Sequence, residues 1–340
     1  MDKLANVVAR EALARKVLLR RRATRSELSR DTGLCAASVT HHTRWLLRHG
    51  FLTSTPIRVP DVKRSVDQLR VNGDQGTLLA IHVHSRQIQA QVLGLDAQPL
   101  ADFLVPVEEA TQREVLAAVS RAAQQAKQWA ADQGRGIDFA GMSVCGTVAT
   151  EDSMVFGVDG VPQWQPCQPR LMLPAFEGIP ALNVWTQVMS KMVGLSAAQR
   201  RDGRIAYVEF LGGSFHIASM RQGEVWLGRH GSTSSFLHES VSDSGRVCYC
   251  GRRGCLADLL ESGEPVDVRI LADAFVGLLH RVDVDALGLE WQGEKDWLVR
   301  RLTEAGIQVY VIDDGRNAAL HGLRILTAQA LLAHQLAHCD

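Results

Sequence analysis

His238 is followed by Cys248-Tyr249-Cys250-Gly251-Arg252-Arg253-Gly254-Cys255, and three thiols with an imidazole at this spacing can close around one tetrahedral Zn²⁺. Thiolate sulfur lies roughly 2.3 Å from zinc and imidazole nitrogen roughly 2.0 Å, and a structural site uses four protein ligands with no position left for water. Gly251 and Gly254 suit a chain that must bend sharply to turn its thiols toward one point. An ordinary metal-free turn is the competing reading, but free cysteines are usually buried singly as small hydrophobes. A disulfide is poorer still, since Cys248 and Cys250 are too close in sequence for an easy bridge. One structural Zn²⁺ per chain, held by His238, Cys248, Cys250 and Cys255, is therefore the expected cofactor.

The 340 residues suffice for two or three domains, and 46% hydrophobic with 22% charged residues describe an ordinary globular chain. Lys3 and Arg10 are not followed by an apolar signal region, and no apolar run approaches a membrane span. A cytoplasmic protein is expected. Seven unevenly spread cysteines fit a reducing compartment better than a disulfide framework. The overall balance of 37 basic and 37 acidic residues conceals an asymmetry. Residues 1–72 carry 15 Lys and Arg against 6 Asp and Glu, a net +9, so the remainder carries −9. A compact segment with that excess attracts a polyanion, and the acidic remainder is repelled by it.

The basic segment reads as three helices and a wing. Leu4, Val7, Val8, Ala12, Leu13, Val17 and Leu18 recur near helical spacing over 4–22. Thr24-Arg25-Ser26-Glu27 is a capping box that opens a second helix, ended at Asp31-Thr32-Gly33. A third runs from about Ala36 to His49 before Gly50. Helix, glycine turn, helix is a helix-turn-helix, whose second member enters the major groove by its first residues. Phe51-Leu52-Thr53 and Asp67 to Val71 are expected to be strands flanking a wing that holds Lys63 and Arg64. The expected DNA contacts are Arg25, Ser38, Thr40, His41, His42 and Arg44 on the helix pair, with Lys63 and Arg64 from the wing. A small helical protein-interaction module is the competing reading, against which charge, capping and the polar face agree.

From Thr77 the pattern alternates between strand and helix. Leu78 to Val83 with Ile88 to Leu93, and Ala206 to Leu211 with Ile217 to Met220, predict two hairpins, the second followed by a turn at Arg221-Gln222-Gly223. Glu114 to Gln133 predicts an amphipathic helix, Phe139 to Val144 a buried strand, Gln308 to Ile312 a strand and Asn317 to His338 a helical stretch. The class is α/β. The matching starts at Leu78 and Ala206 suggest two related lobes.

With these residues in view, the chain resembles the ROK family of repressors and sugar kinases, which share an actin-like ATPase (ribonuclease H-like) fold. His238, Cys248, Cys250 and Cys255 fall at the family's zinc places, Gly141 to Val148 is similar to its strand-and-glycine segment, and Val161-Pro162-Gln163-Trp164 to its Pro-x-Trp. Gly223 and Gly228 are similar to the turn glycines after its phosphate hairpin. The amino-terminal segment marks the repressor branch. The resemblance implies a winged helix-turn-helix over 1–72 and an effector or oligomerisation domain over 73–340, with the zinc loop at 238–255.

Departures from the family's kinases are as informative. Where those place a Gly-Gly-Thr phosphate loop, this chain has His82-Val83-His84-Ser85-Arg86-Gln87, and a phosphate cradle needs glycines for backbone N–H groups to approach the anion. The second glycine-rich hairpin is reduced to Gly212-Gly213-Ser214-Phe215. Their Asn-Asp-Ala, with its aspartate base, corresponds to Trp185-Thr186-Gln187, and threonine cannot be that base near neutral pH. Their Gly-Glu-x-Gly-His appears as Ser234-Ser235-Phe236-Leu237-His238. The expected function is a DNA-binding transcriptional regulator, a repressor of carbohydrate-related genes, not an enzyme, acting as a homo-oligomer on a double-stranded operator. Trp185, Thr186 and Ser235 are the candidate lining of a ligand pocket. Whether the lobe senses a sugar-derived effector, docks a protein partner or only dimerises is left open, and a sugar kinase is the remaining alternative.

Overall fold

The computed structural model describes residues 3–58, 65–199, 204–211, 214–221, 224–226, 240, 247, 252–255, 273, 275–277, 279–280, 283–313 and 315–339. The chain forms two compact units, one of residues 1–142, 170–183 and 324–340, the other of residues 143–169 and 184–323. The expected division at residue 72 falls inside the first unit, just after the winged segment.

The first unit begins with helices α1 (Lys3–Arg20), α2 (Arg25–Thr32) and α3 (Ala36–Arg48) and strands β1 (Ala23–Thr24), β2 (Leu52–Ile57) and β3 (Val66–Val71), the strands forming a sheet in the order β1-β3-β2. The capping box starts α2 as the sequence predicts: Thr24 Oγ1 accepts from the Glu27 amide, and Glu27 accepts from the Thr24 amide at 2.7 Å. Gly33 ends α2 in the left-handed region at φ 70°, which lets the chain turn directly into α3. Leu13, Val17, Leu28, Val39, Leu46 and Leu69 close a dry core between the helices and the wing sheet.

The same unit continues with β4 (Thr77–His84), β5 (Gln87–Gly94), β6 (Pro99–Pro106), α4 (Gln112–Asp132) and β7 (Phe139–Val144). In the second unit lie the hairpin β8 (Gly146–Ala149) and β9 (Met154–Val158); α5 (Pro169–Met172) then leads to β10 (Leu182–Thr186) and α6 (Gln187–Gln199). The second unit's main sheet comprises β11 (Ile205–Leu211), β12 (Ser214–Arg221), β13 (Glu224–Trp226), β14 (Ala286–Trp291) and β15 (Gln308–Val311), with helix α7 (Asp296–Glu304) and the first part of α8 (Arg316–His338), whose residues from 324 on belong to the first unit.

The two five-stranded sheets have one topology. Their orders are β6-β5-β4-β7-β10 and β13-β12-β11-β14-β15, so in each the first three strands meander from the centre to one edge and the next two extend the other side. This duplication is what the matching starts at Leu78 and Ala206 foreshadow. Leu287, Leu289, Val208, Ile217, Phe275, Leu298 and Leu302 form the second unit's apolar core. Within that unit α6 crosses the start of α8 on glycines: a Cβ at Gly322 would fall 1.7 Å from the Ser190 carbonyl oxygen, and one at Gly194 2.1 Å from that of Ala318. Only backbone without side chains permits so close an approach. Among the described residues, no helix is long and apolar enough to cross a membrane.

Candidate functional site

Helix α3 presents one polar face. Ala36, Ala37, Thr40, His41, Arg44, Trp45 and Arg48 line a shallow concavity, their spacing of three and four residues placing them on a single side. His41 and Arg44 are exposed, Ser38 and Thr40 half-buried, and the Thr40 hydroxyl donates to the Ala36 carbonyl at 2.8 Å. Cys35 precedes the helix without a side-chain capping bond. The first-turn amides of α3 are thus not capped by that side chain, and the helix dipole adds positive potential there, which suits phosphate. Behind this face Trp45 is fixed by the Arg10 guanidinium, 3.8 Å from its ring centroid, and by stacking on His49.

Two of the expected contacts have other work. His42 lies on the opposite side of α3 from Arg44 and is 4% exposed, so it packs in the winged-helix core and does not reach a duplex. Burial, and then the charges of His41 and Arg10, lower its pKa, which keeps the ring neutral. The physical reason is helical geometry: neighbouring residues point about 100° apart, so His41 and His42 cannot share a face. Arg25 is drawn inward, its Nε donating to Thr43 Oγ1 at 3.0 Å and a terminal nitrogen to Asp67 Oδ2 at 2.8 Å. It ties α2 to α3 and to the wing strand. Lys63 and Arg64 lie outside the described residues.

Of the zinc set, His238, Cys248 and Cys250 also lie outside the described residues. Cys255 is fully buried, Gly254 adopts φ 64°, and isolated antiparallel bridges join Ser240 to Cys255 and Val247 to Arg253. The first bridge sets residue 240 beside the last cysteine and the second sets 247 beside 253, and three thiolates with an imidazole are, as a donor set, of the chemistry that suits Zn²⁺.

In the second unit, Trp185 and Thr186 are 6% and 8% exposed, and Thr186 Oγ1 accepts from the Met189 amide, capping α6. Ser235 lies outside the described residues. One turn further along α6, Lys191 is 2% exposed and donates to Glu209 Oε2 and Glu290 Oε2, each at 2.5 Å. Glu290 also accepts from Tyr207 Oη at 3.0 Å and from the Gly315 amide at 3.1 Å, the latter at the start of α8. Sequence reasoning missed this cluster. Its signal was present: a single charge stands inside each of three otherwise apolar runs, around Lys191, Glu209 and Glu290.

Nearby, Asp159 Oδ2 stands 3.1 Å from His216 Nε2 and accepts from the Cys145 thiol at 3.5 Å. Burial and then the Asp159 carboxylate push the Cys145 thiol well up, so it is not a nucleophile. At His216 burial acts to lower the pKa, but the bond and charge of Asp159, with Glu209 beyond, outweigh it and the net shift is upward.

No family model matches the chain, and no curated protein sequence matches it. Similarity is found among solved structures. A ROK family transcriptional regulator, described as a homologue of the E. coli MLC protein, is 16% identical and superposes with a TM-score of 0.66 over 99% of this chain and 100% of its own. A ROK hexokinase from Thermus thermophilus is 17% identical, with a TM-score of 0.58 over 75% of this chain and 99% of its own. A ROK family glucokinase from Streptomyces griseus, solved with glucose and AMPPNP, is 17% identical, with a TM-score of 0.54 over 75% of this chain and 100% of its own. The chain therefore has the ROK fold, and the regulator's version of it matches along almost the whole length.

The upward shift at His216 has a pH consequence. A raised folded-state value means that the protonated pair's stabilisation is fully present below the unfolded histidine value of about 6.5 and is lost as pH rises through the folded value. The thermal midpoint of the wild type should therefore fall between about pH 6 and pH 8 more steeply than that of Asp159→Asn, as followed by circular dichroism.

Proposed function

We propose that the chain is a ROK-family DNA-binding transcriptional regulator, a repressor of carbohydrate-related genes, whose two-lobed part carries no kinase chemistry. The observation that carries this reading is the exposed α3 face with its uncapped first turn, set in a segment of net +9 charge. The full-length likeness to a ROK regulator supports it. A homodimer is the form that reads a palindromic operator, because one recognition helix alone binds weakly.

The non-catalytic reading rests on three features. The β4–β5 hairpin closes at His84 opposite Gln87, leaving a two-residue turn of Ser85 and Arg86, and the Arg86 amide bonds to His84 Nδ1. That amide is not offered to a phosphate. Thr186 caps a helix and cannot act as a base near neutral pH. The burial of Trp185 and Thr186 favours a lobe that dimerises or docks a protein partner over one that senses a sugar-derived effector. Zn²⁺, held by His238, Cys248, Cys250 and Cys255, would knit the loop structurally.

Genome-wide mapping of bound sites supplies the operator for equilibrium titrations. Arg64→Ala should weaken binding across sequences and reduce the salt slope by about 1, and Thr40→Ala should relax preference at particular base pairs. His42→Ala should lower the thermal midpoint without altering base preference. Unchanged affinity in both Arg64→Ala and Thr40→Ala would refute the docking. Elemental analysis of protein purified without chelator should return one zinc per chain, and Cys250→Ser should lower both zinc content and thermal midpoint.

A further inference from the structure

The winged segment meets the β5–β6 turn at a concavity of about 370 Å³ within the first unit. Its lining combines the buried apolar residues Val17, Leu18 and Val71 with the exposed Arg21, Arg22 and Arg70. Antiparallel pairing sets Ala23 opposite Leu69, so Arg22 and Arg70 each adjoin a paired residue, and like charges brought near one another repel. Arg21, between them and α1, has φ 61°, a left-handed conformation rare outside glycine. A fourth guanidinium is close: Arg324 donates to Gln91 at 2.7 Å, and its pKa is lowered first by burial and, against the pull of Asp102, by the charge of Arg21.

Neighbouring arginines are neutralised within the fold, Arg20 by Asp31 and Arg25 by Asp67. Among the described residues no ion pair joins Arg21, Arg22 or Arg70 to a carboxylate. Asp96, in the same lining, accepts instead from the Gln98 amide at 3.2 Å. The site thus gathers three arginines against one carboxylate, beside buried apolar residues and a strained backbone, an arrangement suited to an anion that also has a carbon skeleton.

We propose that this concavity binds a small phosphate monoester, whose phosphate bridges Arg22 and Arg70 and whose carbon skeleton lies on Val17 and Leu18. Because Asp96 and Gln98 of the β5–β6 turn share the pocket, an occupant touches the winged segment and the first lobe together and stiffens their junction. A duplex backbone is the weaker candidate. Arg70 pairs with Thr53 at the base of the wing, whereas the wing tip lies beyond Ile57 and Val66, four pairs or about 13 Å away.

Isothermal titration of the full-length chain at fixed ionic strength tests the proposal without DNA, so that its failure and a failure of the operator reading are separable. Inorganic phosphate and a hexose 6-phosphate should each give saturable heat, and the uncharged hexose none. Tighter binding of the ester than of phosphate would show that the apolar residues hold the skeleton; equal binding would overturn that part and leave inorganic phosphate as the occupant. The double variant R22Q/R70Q should bind about tenfold or more weakly, and R70Q alone, at an exposed strand position, should weaken binding in the same direction. In phosphate-free buffer the double variant should melt no lower than the wild type, since a like-charge pair has been relieved. Absence of saturable heat with both anions, or unchanged binding in R70Q, would overturn the proposal. So would a fall of about 2 in the salt slope of duplex binding by the double variant, because the arginines would then be duplex contacts.

Discussion

Glu209 and Glu290 stand opposite each other in register on the parallel strands β11 and β14, both almost fully buried. Two carboxylates so placed repel, and the Lys191 ammonium between them makes the arrangement tenable. The remaining lone pairs are met by Tyr207 and the Gly315 amide, and Gln187 adds a long contact to Glu209 at 3.4 Å. Glycine is required at 315: a Cβ there would fall 2.2 Å from Glu290 Oε2 and 2.8 Å from Lys191 Cε. Gly288 similarly leaves room for the Tyr207 ring. One cluster thus fixes α6, the two central strands and the start of α8. A well-packed apolar substitute could be as stable, but losing one partner from such a set typically costs about 3–5 kcal/mol. The cluster therefore sets the arrangement of these elements more than it adds to stability.

The two units divide their charges differently. In the second unit, Lys191, Glu209 and Glu290 turn inward and satisfy one another, while pairs such as Arg204 with Asp285 stay at the surface. In the first unit, a few arginines serve the fold, as Arg25 does between α3 and the wing, and Arg10 does over Trp45. Others, such as Arg44 and Arg48, are left facing outward on α3.

Much of this was legible in the sequence where local chemistry dominates. The capping box at Thr24, the turn at Gly33 and the buried strand Phe139–Val144 follow from short-range rules, and the structure has them. Edge strand β6 was not anticipated, because it begins and ends in proline and its side chains are mostly exposed, leaving no clean alternation. Strand β14 was not anticipated either: it is buried at every position, as β7 is, but a charge at Glu290 interrupts its apolar run. His42, expected among the DNA contacts, is instead buried, because on α3 it points about 100° away from His41. The Lys191 cluster joins residues 18 and 99 positions apart, and only the tertiary fold brings them together.

The central claim is that the second unit's polar groups hold its own fold and do not move a phosphoryl group. Transfer of the terminal phosphate from labelled ATP to a panel of hexoses and amino sugars, with the full-length chain at high concentration, tests it most directly. The account predicts no sugar phosphate above the protein-free control. Turnover that scales with protein and stays with it through purification would contradict it, since the second unit would then be moving a phosphoryl group.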